Sequence, residues 1–242
     1  MRVRLRFTKL GKLRFLGHRD LARCWERAIR KAQLPIAYSV GFSPRPKMHF
    51  GLALPTGCES QAEYLDIDLR DDTGVTIDVA TLGPLLSDAM PIGIDVTMVE
   101  RVADHEDSLQ AVVSACTWHF EIVDESSDTI AGRLAAMMAT DDVQLTFERK
   151  GKEVTENVRP AIHEAFVVAD LSRAVDGAVL VSVELATKPR SIRPGEFLAV
   201  FDPPMQARRI CRIEQWTTTD GVRRPPLVPA DASGPGDLAQ AS

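Results

Sequence analysis

The first residues of the chain alternate between apolar and polar side chains. Val3, Leu5 and Phe7 are separated by arginines, and this period of two predicts a β-strand with one buried face. Residues 19–33 place apolar side chains at helical spacing instead, which predicts an amphipathic helix with arginines on its polar face. Pro35 follows and limits that helix.

Similar patterns continue to residue 102. They predict strands at 48–54, 63–69 and 93–102 and a second helix at 76–90. The resulting order, β-α-β-β-α-β, is that of the split βαβ or ferredoxin-like arrangement. We therefore expect a first domain over residues 1–102.

A comparable order of elements follows the acidic segment 103–109, a predicted linker. Strands are predicted at 118–123, 143–149, 165–169, 179–186 and 208–216, and helices at 129–138 and 195–200. This order indicates a second α+β domain over 110–216, a diverged copy of the first. From Thr217 the chain is rich in Pro, Gly, Ala and Asp, which predicts a disordered tail over 217–242. The expected fold class is α+β with two ferredoxin-like units.

Composition narrows the class of protein. With 45% hydrophobic and 26% charged residues, the chain is typical of a globular protein. No apolar run approaches the roughly 18 residues of a membrane-spanning helix, and the N-terminal MRVRLRF lacks the apolar stretch of a signal peptide. The four cysteines are scattered without a CxxC pair, which favours reduced thiols over a zinc or iron–sulfur site. We expect a cytoplasmic protein with no membrane contact, metal or cofactor.

Positive charge is concentrated at the start of the chain. Residues 1–50 contain thirteen Lys or Arg and two acids, a net charge of +11, although the whole chain carries −5. A concentrated positive field attracts polyanions. The candidate partners are RNA, other nucleic acids, an acidic protein, and the acidic remainder of this chain.

The sharpest candidate site surrounds the loop 43–47, where two prolines preset the backbone that presents Arg45 and Lys47. Convergence of these cations with those of the preceding segments would suit a phosphate backbone. The alternative is a structural loop that packs Phe42 and Met48 and leaves its charges in solvent. The predicted nucleic-acid or anion-binding residues are Lys12, Arg14, His18, Arg19, Arg23, Arg27, Arg30, Arg45, Lys47 and His49.

Other basic residues are weaker candidates. The first-strand arginines Arg2, Arg4 and Arg6 either contact phosphate or pair across the sheet with acids of the neighbouring strand, and we favour pairing with Asp66 and Asp68. In the second domain, smaller basic clusters can line an interdomain groove together with the first domain. They comprise Lys150, Lys152, Arg159, Lys188, Arg190, Arg193, Arg208, Arg209 and Arg212.

Signals for catalysis are few. His18 and Asp20 lie close in sequence and His49 is a third candidate, and a His–Asp pair supports acid–base chemistry. Asp20 is more simply explained as a negative charge that favours the start of a helix. The chain has no GxSxG, Walker, GxGxxG or HExxH motif. We assign no catalytic residue and favour a protein that is not an enzyme.

Several short motifs lie between residues 15 and 63. They are HRDL (18–21), RKA (30–32), PIAY (35–38), GFSPRPK (41–47) and LPTG (54–57), with Glu63 beyond. Together they resemble the radical-SAM-associated, or radical-SAM-linked, proteins, a family with a domain of unknown function. The resemblance implies RNA-related work, because these proteins are often encoded near ribonuclease E/G. The chain lacks the CxxxCxxC motif of radical enzymes, so it is at most a partner to one.

Three hypotheses of function follow from the sequence. The favoured one is an RNA-binding or adaptor protein that works with a radical S-adenosylmethionine enzyme or with RNA-processing machinery such as a ribonuclease E/G-type protein. The second is an RNA-modifying enzyme with an interdomain cleft, which needs an Asp or His in that cleft and a basic rim. The third is a protein-interaction scaffold that docks its basic helix onto an acidic partner.

Overall fold

The computed structural model describes residues 1–70, 77–103, 106–149, 151–169, 177–219 and 221–228. The first half contains β1 (Arg2–Lys9), α1 (His18–Lys31), β2 (Met48–Phe50), β3 (Glu59–Asp68), α2 (Val79–Ser87) and β4 (Val96–Val102). The second half contains α3 (Leu109–Val112), β5 (Val113–Ile122), α4 (Ser127–Ala139), β6 (Gln144–Arg149), β7 (Lys152–Asn157), β8 (Ile162–Val167), β9 (Val179–Ala186), α5 (Pro194–Ala199), β10 (Ala207–Thr219) and β11 (Val222–Arg224).

The first unit is an antiparallel sheet with both of its helices on one face. Its strands lie in the order β4-β1-β3, and β2 pairs with the other side of β3. Alternation along β1 turns Val3, Leu5 and Phe7 toward the core that the helices cover. There the Phe7 ring meets the Trp25 ring of α1 edge to face, with centroids 4.9 Å apart. This is the ferredoxin-like order that the sequence predicted.

The second unit repeats this strand order. Its strands lie as β10-β5-β9-β8, and each neighbouring pair is antiparallel. Ile130 and Leu134 of α4 and Phe197 of α5 pack into a single core with the apolar residues of β5 and β9. The hairpin of β6 and β7 is inserted between α4 and β8 and forms a separate two-stranded sheet. The α+β class with two ferredoxin-like units is therefore confirmed.

A short parallel pairing joins the two units into one nine-stranded sheet. β3 of the first unit runs beside β10 of the second, and the paired residues are Glu59 with Cys211 and Ser60 with Arg212. The segment that precedes β3 belongs physically to the second unit, because Leu52, Leu54 and Cys58 pack against its core. The two units thus share both a sheet and part of a core.

The predicted tail begins too early. Thr217 lies within β10, which continues to Thr219 and pairs with β11. Leu227 is buried beside Ala62 and Tyr64 of β3, so this segment closes over the first unit. The prediction was wrong for 217–219 and 221–228, because a polar strand that pairs with a neighbour has no apolar alternation to reveal it. Residues 229–242 lie outside the described part of the chain.

Other differences concern element boundaries. α2 begins at Val79 instead of residue 76, because the Asp78 side chain accepts a hydrogen bond from the Ala80 backbone and caps the helix. Part of the predicted linker forms α3, whose Leu109 is buried. Within the described residues, no helix has the length and apolar character needed to cross a membrane.

Candidate anion-binding surface

The arginine row of β1 is neutralised by acids. Arg2 pairs with Asp68 at 2.7 Å, and Arg4 pairs with Asp66 at 2.8 Å. Arg6 reaches Glu214 of the second unit at 3.0 Å. Burial favours the neutral acid at Asp68, but the Arg2 guanidinium outweighs it and lowers the Asp68 pKa. The cross-strand pairs predicted for Arg2 and Arg4 are present, and Arg4 is buried, so this row does not face solvent as a phosphate contact.

The arginines of α1 form a stripe on the solvent side of the helix. Arg19, Arg23, Arg27 and Arg30 recur at intervals of three and four residues and are all exposed. The opposite side carries the buried Trp25 and its apolar neighbours. Arg23 pairs with Asp20 at 3.1 Å, but both side chains are largely exposed, and such pairs stabilise little. The stripe therefore presents most of its charge to solvent.

The loop after α1 continues this stripe. Ser39 and Arg45 are joined at its base by two hydrogen bonds, from Ser39 N to the Arg45 carbonyl at 2.9 Å and from Arg45 N to Ser39 Oγ at 3.0 Å. A cavity of about 340 Å³ lies between this base and the end of α1, and its lining includes Arg30, Tyr38 and Pro46. Arg30 of the stripe and Tyr38 and Pro46 of the loop therefore line the same cavity.

Several cations between residues 12 and 47 have no acidic partner in the described part of the chain. Lys12, Arg19, Arg30, Arg45 and Lys47 are exposed, and no carboxylate lies within ion-pair distance of them among the described residues. Their charges are the ones available to an anionic ligand. We call Lys12, Arg14, Arg19, Arg23, Arg27, Arg30, Arg45 and Lys47 the basic surface.

Two predicted residues differ from this group. Arg14 is part of the basic surface but lies 3.6 Å from Glu59, which offsets some of its charge. His49 lies apart, because Met48 and Phe50 on either side of it pack into the core beneath α1 and alternation turns His49 to the opposite face. There its Nε2 is 3.5 Å from Asp68. The structure therefore does not bring His49 together with the α1 stripe.

The histidine proposed for acid–base chemistry has a different neighbour. The His18 ring meets the Phe50 ring edge to face, with centroids 4.9 Å apart, while Asp20 is hydrogen-bonded to Arg23. The structure therefore pairs neither His18 nor His49 with Asp20. No group of three or more His, Cys, Asp or Glu suited to a metal ion occurs in the described part of the chain.

Exposed aromatic side chains accompany the basic surface, and the sequence did not reveal them. Phe42 is fully exposed, and Phe15 and Tyr38 are more than half exposed. The Arg14 guanidinium lies over the Phe15 ring at 4.7 Å. The alternative in which the loop packs Phe42 is therefore wrong, although Met48 does pack against the core. The available signal was the position of Phe42 between Gly41 and Ser43, outside any apolar period.

The basic residues of β10 are tied to acids at the junction of the units. Arg209 bonds Glu59 at 2.6 Å and Glu121 at 3.2 Å, and Arg212 bonds Glu63 and the Leu52 carbonyl. Glu63 keeps the pKa of Arg212 raised despite its complete burial. These arginines are structural. Of the other second-domain clusters, Lys150 lies outside the described residues.

Three cysteines surround this junction as neutral thiols. Burial raises the pKa of Cys58 and of Cys116 to about 11, and that of Cys211 to about 12. Near neutral pH they are protonated, and a protonated thiol is neither a good nucleophile nor a metal ligand. The junction is therefore not a reactive-cysteine site.

Comparison with known proteins identifies a family for this chain. The model of a family described as an uncharacterized protein conserved in bacteria (DUF2344) matches residues 2–194. The match covers most of both units, including the basic surface. No curated protein matches the chain.

Proposed function

The chain belongs to this family of proteins conserved in bacteria, and we propose that it binds single-stranded RNA on its basic surface. The observation that carries the proposal is that residues 12–47 expose both unneutralised cations and aromatic rings. Lys12, Arg19, Arg30, Arg45 and Lys47 supply charges for phosphates. Phe15, Tyr38 and Phe42 supply rings on which unstacked bases can lie.

This combination favours RNA over an acidic protein partner. A protein partner matched only by charge needs cations, whereas bases of a single strand also need flat apolar faces. Phe42 is held at the tip of a loop closed by hydrogen bonds between Ser39 and Arg45, so presenting it costs little ordering entropy on binding.

We expect wild-type protein to bind labelled, unstructured RNA with an affinity that falls steeply with salt. Each phosphate contact on a single strand contributes about −0.7 to the slope of log affinity against log salt. Arg45→Ala combined with Lys47→Ala is therefore expected to reduce the magnitude of that slope by about 1.4. Fluorescence anisotropy at several salt concentrations between about 50 and 200 mM measures both quantities.

A matched control removes two exposed arginines elsewhere, Arg101→Ala with Arg224→Ala. It changes the net charge equally and is expected to leave the slope near that of the wild type. An affinity insensitive to salt, or one that survives loss of Arg45 and Lys47, overturns the proposal.

We also propose that the protein acts as an adaptor for a radical S-adenosylmethionine enzyme or a ribonuclease E/G-type protein. This part is supported by the resemblance of residues 15–63 to radical-SAM-linked proteins. Affinity purification of the tagged chain, with and without nuclease, tests it. Recovery of either protein supports adaptor function, and recovery that persists after nuclease treatment shows direct contact. If neither protein is recovered under either condition, the adaptor role is contradicted.

A further inference from the structure

A cavity of about 430 Å³ lies between the two units. One wall is the segment 52–56, which includes most of the LPTG motif. The other wall comes from β5, β9 and the segment 187–194 of the second unit. Its volume falls in the range of small-ligand sites, which often occur where two units meet.

The cavity wall combines apolar side chains with two cations. Trp118, Leu185 and Ile192 make it largely apolar, and Arg193 and Arg212 are its cations. None of the described residues that line it is acidic, and none is a histidine. The RNA-modifying enzyme hypothesis required an Asp or His in an interdomain cleft, so this cavity is suited to binding and lacks the groups for acid–base catalysis.

A buried arginine donates into this wall. Arg212 is almost completely buried, and its guanidinium lies 5.4 Å from the centre of the Trp118 ring. Glu63 and the Leu52 carbonyl accept from its Nε and Nη2, and the guanidinium is also hydrogen-bonded to Cys116 of the cavity wall. Such a fixed cation beside an aromatic ring fits a planar molecule that carries carbonyl groups.

The cavity adjoins the N-terminal end of the basic surface. Gly57 N donates to the Arg14 carbonyl at 2.8 Å, which fixes the segment carrying Lys12 and Arg14 against the cavity wall near Thr56. On the opposite rim Arg193 is exposed. A strand of phosphates that crosses Lys12 and Arg14 therefore passes the cavity mouth.

Building on the proposed function, we propose that this cavity receives one unstacked base of the bound RNA. The base lies against Trp118 and the apolar wall, beside the positively charged guanidinium of Arg212. The flanking phosphates contact Arg193 on one side and Lys12 with Arg14 on the other. This assigns a base-binding subsite to the LPTG motif, which the basic surface alone does not use.

The test compares two labelled RNAs of equal length and charge, one normal and one with abasic positions throughout. Wild-type protein is expected to bind the normal RNA about tenfold more tightly, since base stacking on an aromatic wall accounts for a difference of this order. Ala53→Leu with Ser191→Leu fills the cavity mouth from both walls at exposed positions. This variant is expected to lose the preference while keeping salt-dependent binding of both RNAs.

Ala135→Leu with Ala136→Leu, on the exposed side of α4, adds similar bulk away from the cavity and is expected to keep the preference. If the double cavity variant does not fold, Ser191→Leu alone repeats the comparison. A preference that survives cavity filling shows that exposed rings such as Phe42 carry it, and overturns the inference while leaving RNA binding intact. Equal affinity of the wild type for the two RNAs also overturns it. Absence of salt-dependent binding to both removes the proposed function itself, and with it this subsite.

Discussion

A variant carrying Arg212→Met is expected to lose about 3–5 kcal/mol of unfolding free energy. The substitution leaves the Glu63 carboxylate buried without its guanidinium partner, and an uncompensated buried charge is costly. Lys9 is the other cation near Glu63, and its Nζ already donates to the Leu16 carbonyl at 2.8 Å. Urea unfolding followed by circular dichroism measures the loss as a shift of the midpoint.

The double variant Arg212→Met with Glu63→Gln is expected to be markedly more stable than the sum of the single losses predicts, because it removes both buried charges together. Arg23→Met is the matched control. It breaks an exposed pair with Asp20 and is expected to cost less than about 1 kcal/mol. If Arg212→Met is no less stable than Arg23→Met, the buried pair does not hold the junction together.

Removal of the whole α1 stripe is expected to have the largest effect on RNA binding. Replacing Arg19, Arg23, Arg27 and Arg30 by Gln keeps helix propensity and removes four exposed cations. We expect the affinity at low salt to fall by about 100-fold and the salt slope to shrink by nearly 3, at about 0.7 for each lost phosphate contact. Anisotropy titrations with the wild-type RNA measure both.

The matched control replaces four exposed cations on β4, β7 and β11 by Gln, namely Arg101, Lys152, Arg223 and Arg224. It lowers the net charge by the same amount, so it separates local contact from the overall field of the protein. Equal losses in the two variants contradict a localised binding surface. Loss confined to the α1 variant supports it.

The core of the first unit could be predicted from sequence because its signal is local. Val3, Leu5 and Phe7 alternate on β1, and Leu65 and Ile67 alternate on β3. Each strand therefore reveals its buried face without any knowledge of its neighbour. The position of His49 was predictable in the same way, since the apolar residues beside it already fix its face.

The charges at the junction could not be placed from sequence. No local pattern marks Glu59 or Glu63 as buried, and β3 was predicted to start only at residue 63. Their partners, Arg209 and Arg212, are about 150 residues away along the chain. Burial of Glu59, Glu63 and Arg212 depends on the parallel contact of β3 with β10, which no local period encodes. β7 was not predicted either, because its sequence KEVTEN is mostly polar and gives no clear apolar alternation.

The contact between β3 and β10 gives the two units a heterologous, head-to-tail relation. The third strand of one repeat meets the last strand of the next, so no two-fold axis relates them. The outer strands of the sheet among the described residues, β4 and β8, are consequently unlike each other. Charged residues on these strands, Glu100 and Arg101 at one end and Glu164 at the other, oppose edge-to-edge pairing with further strands.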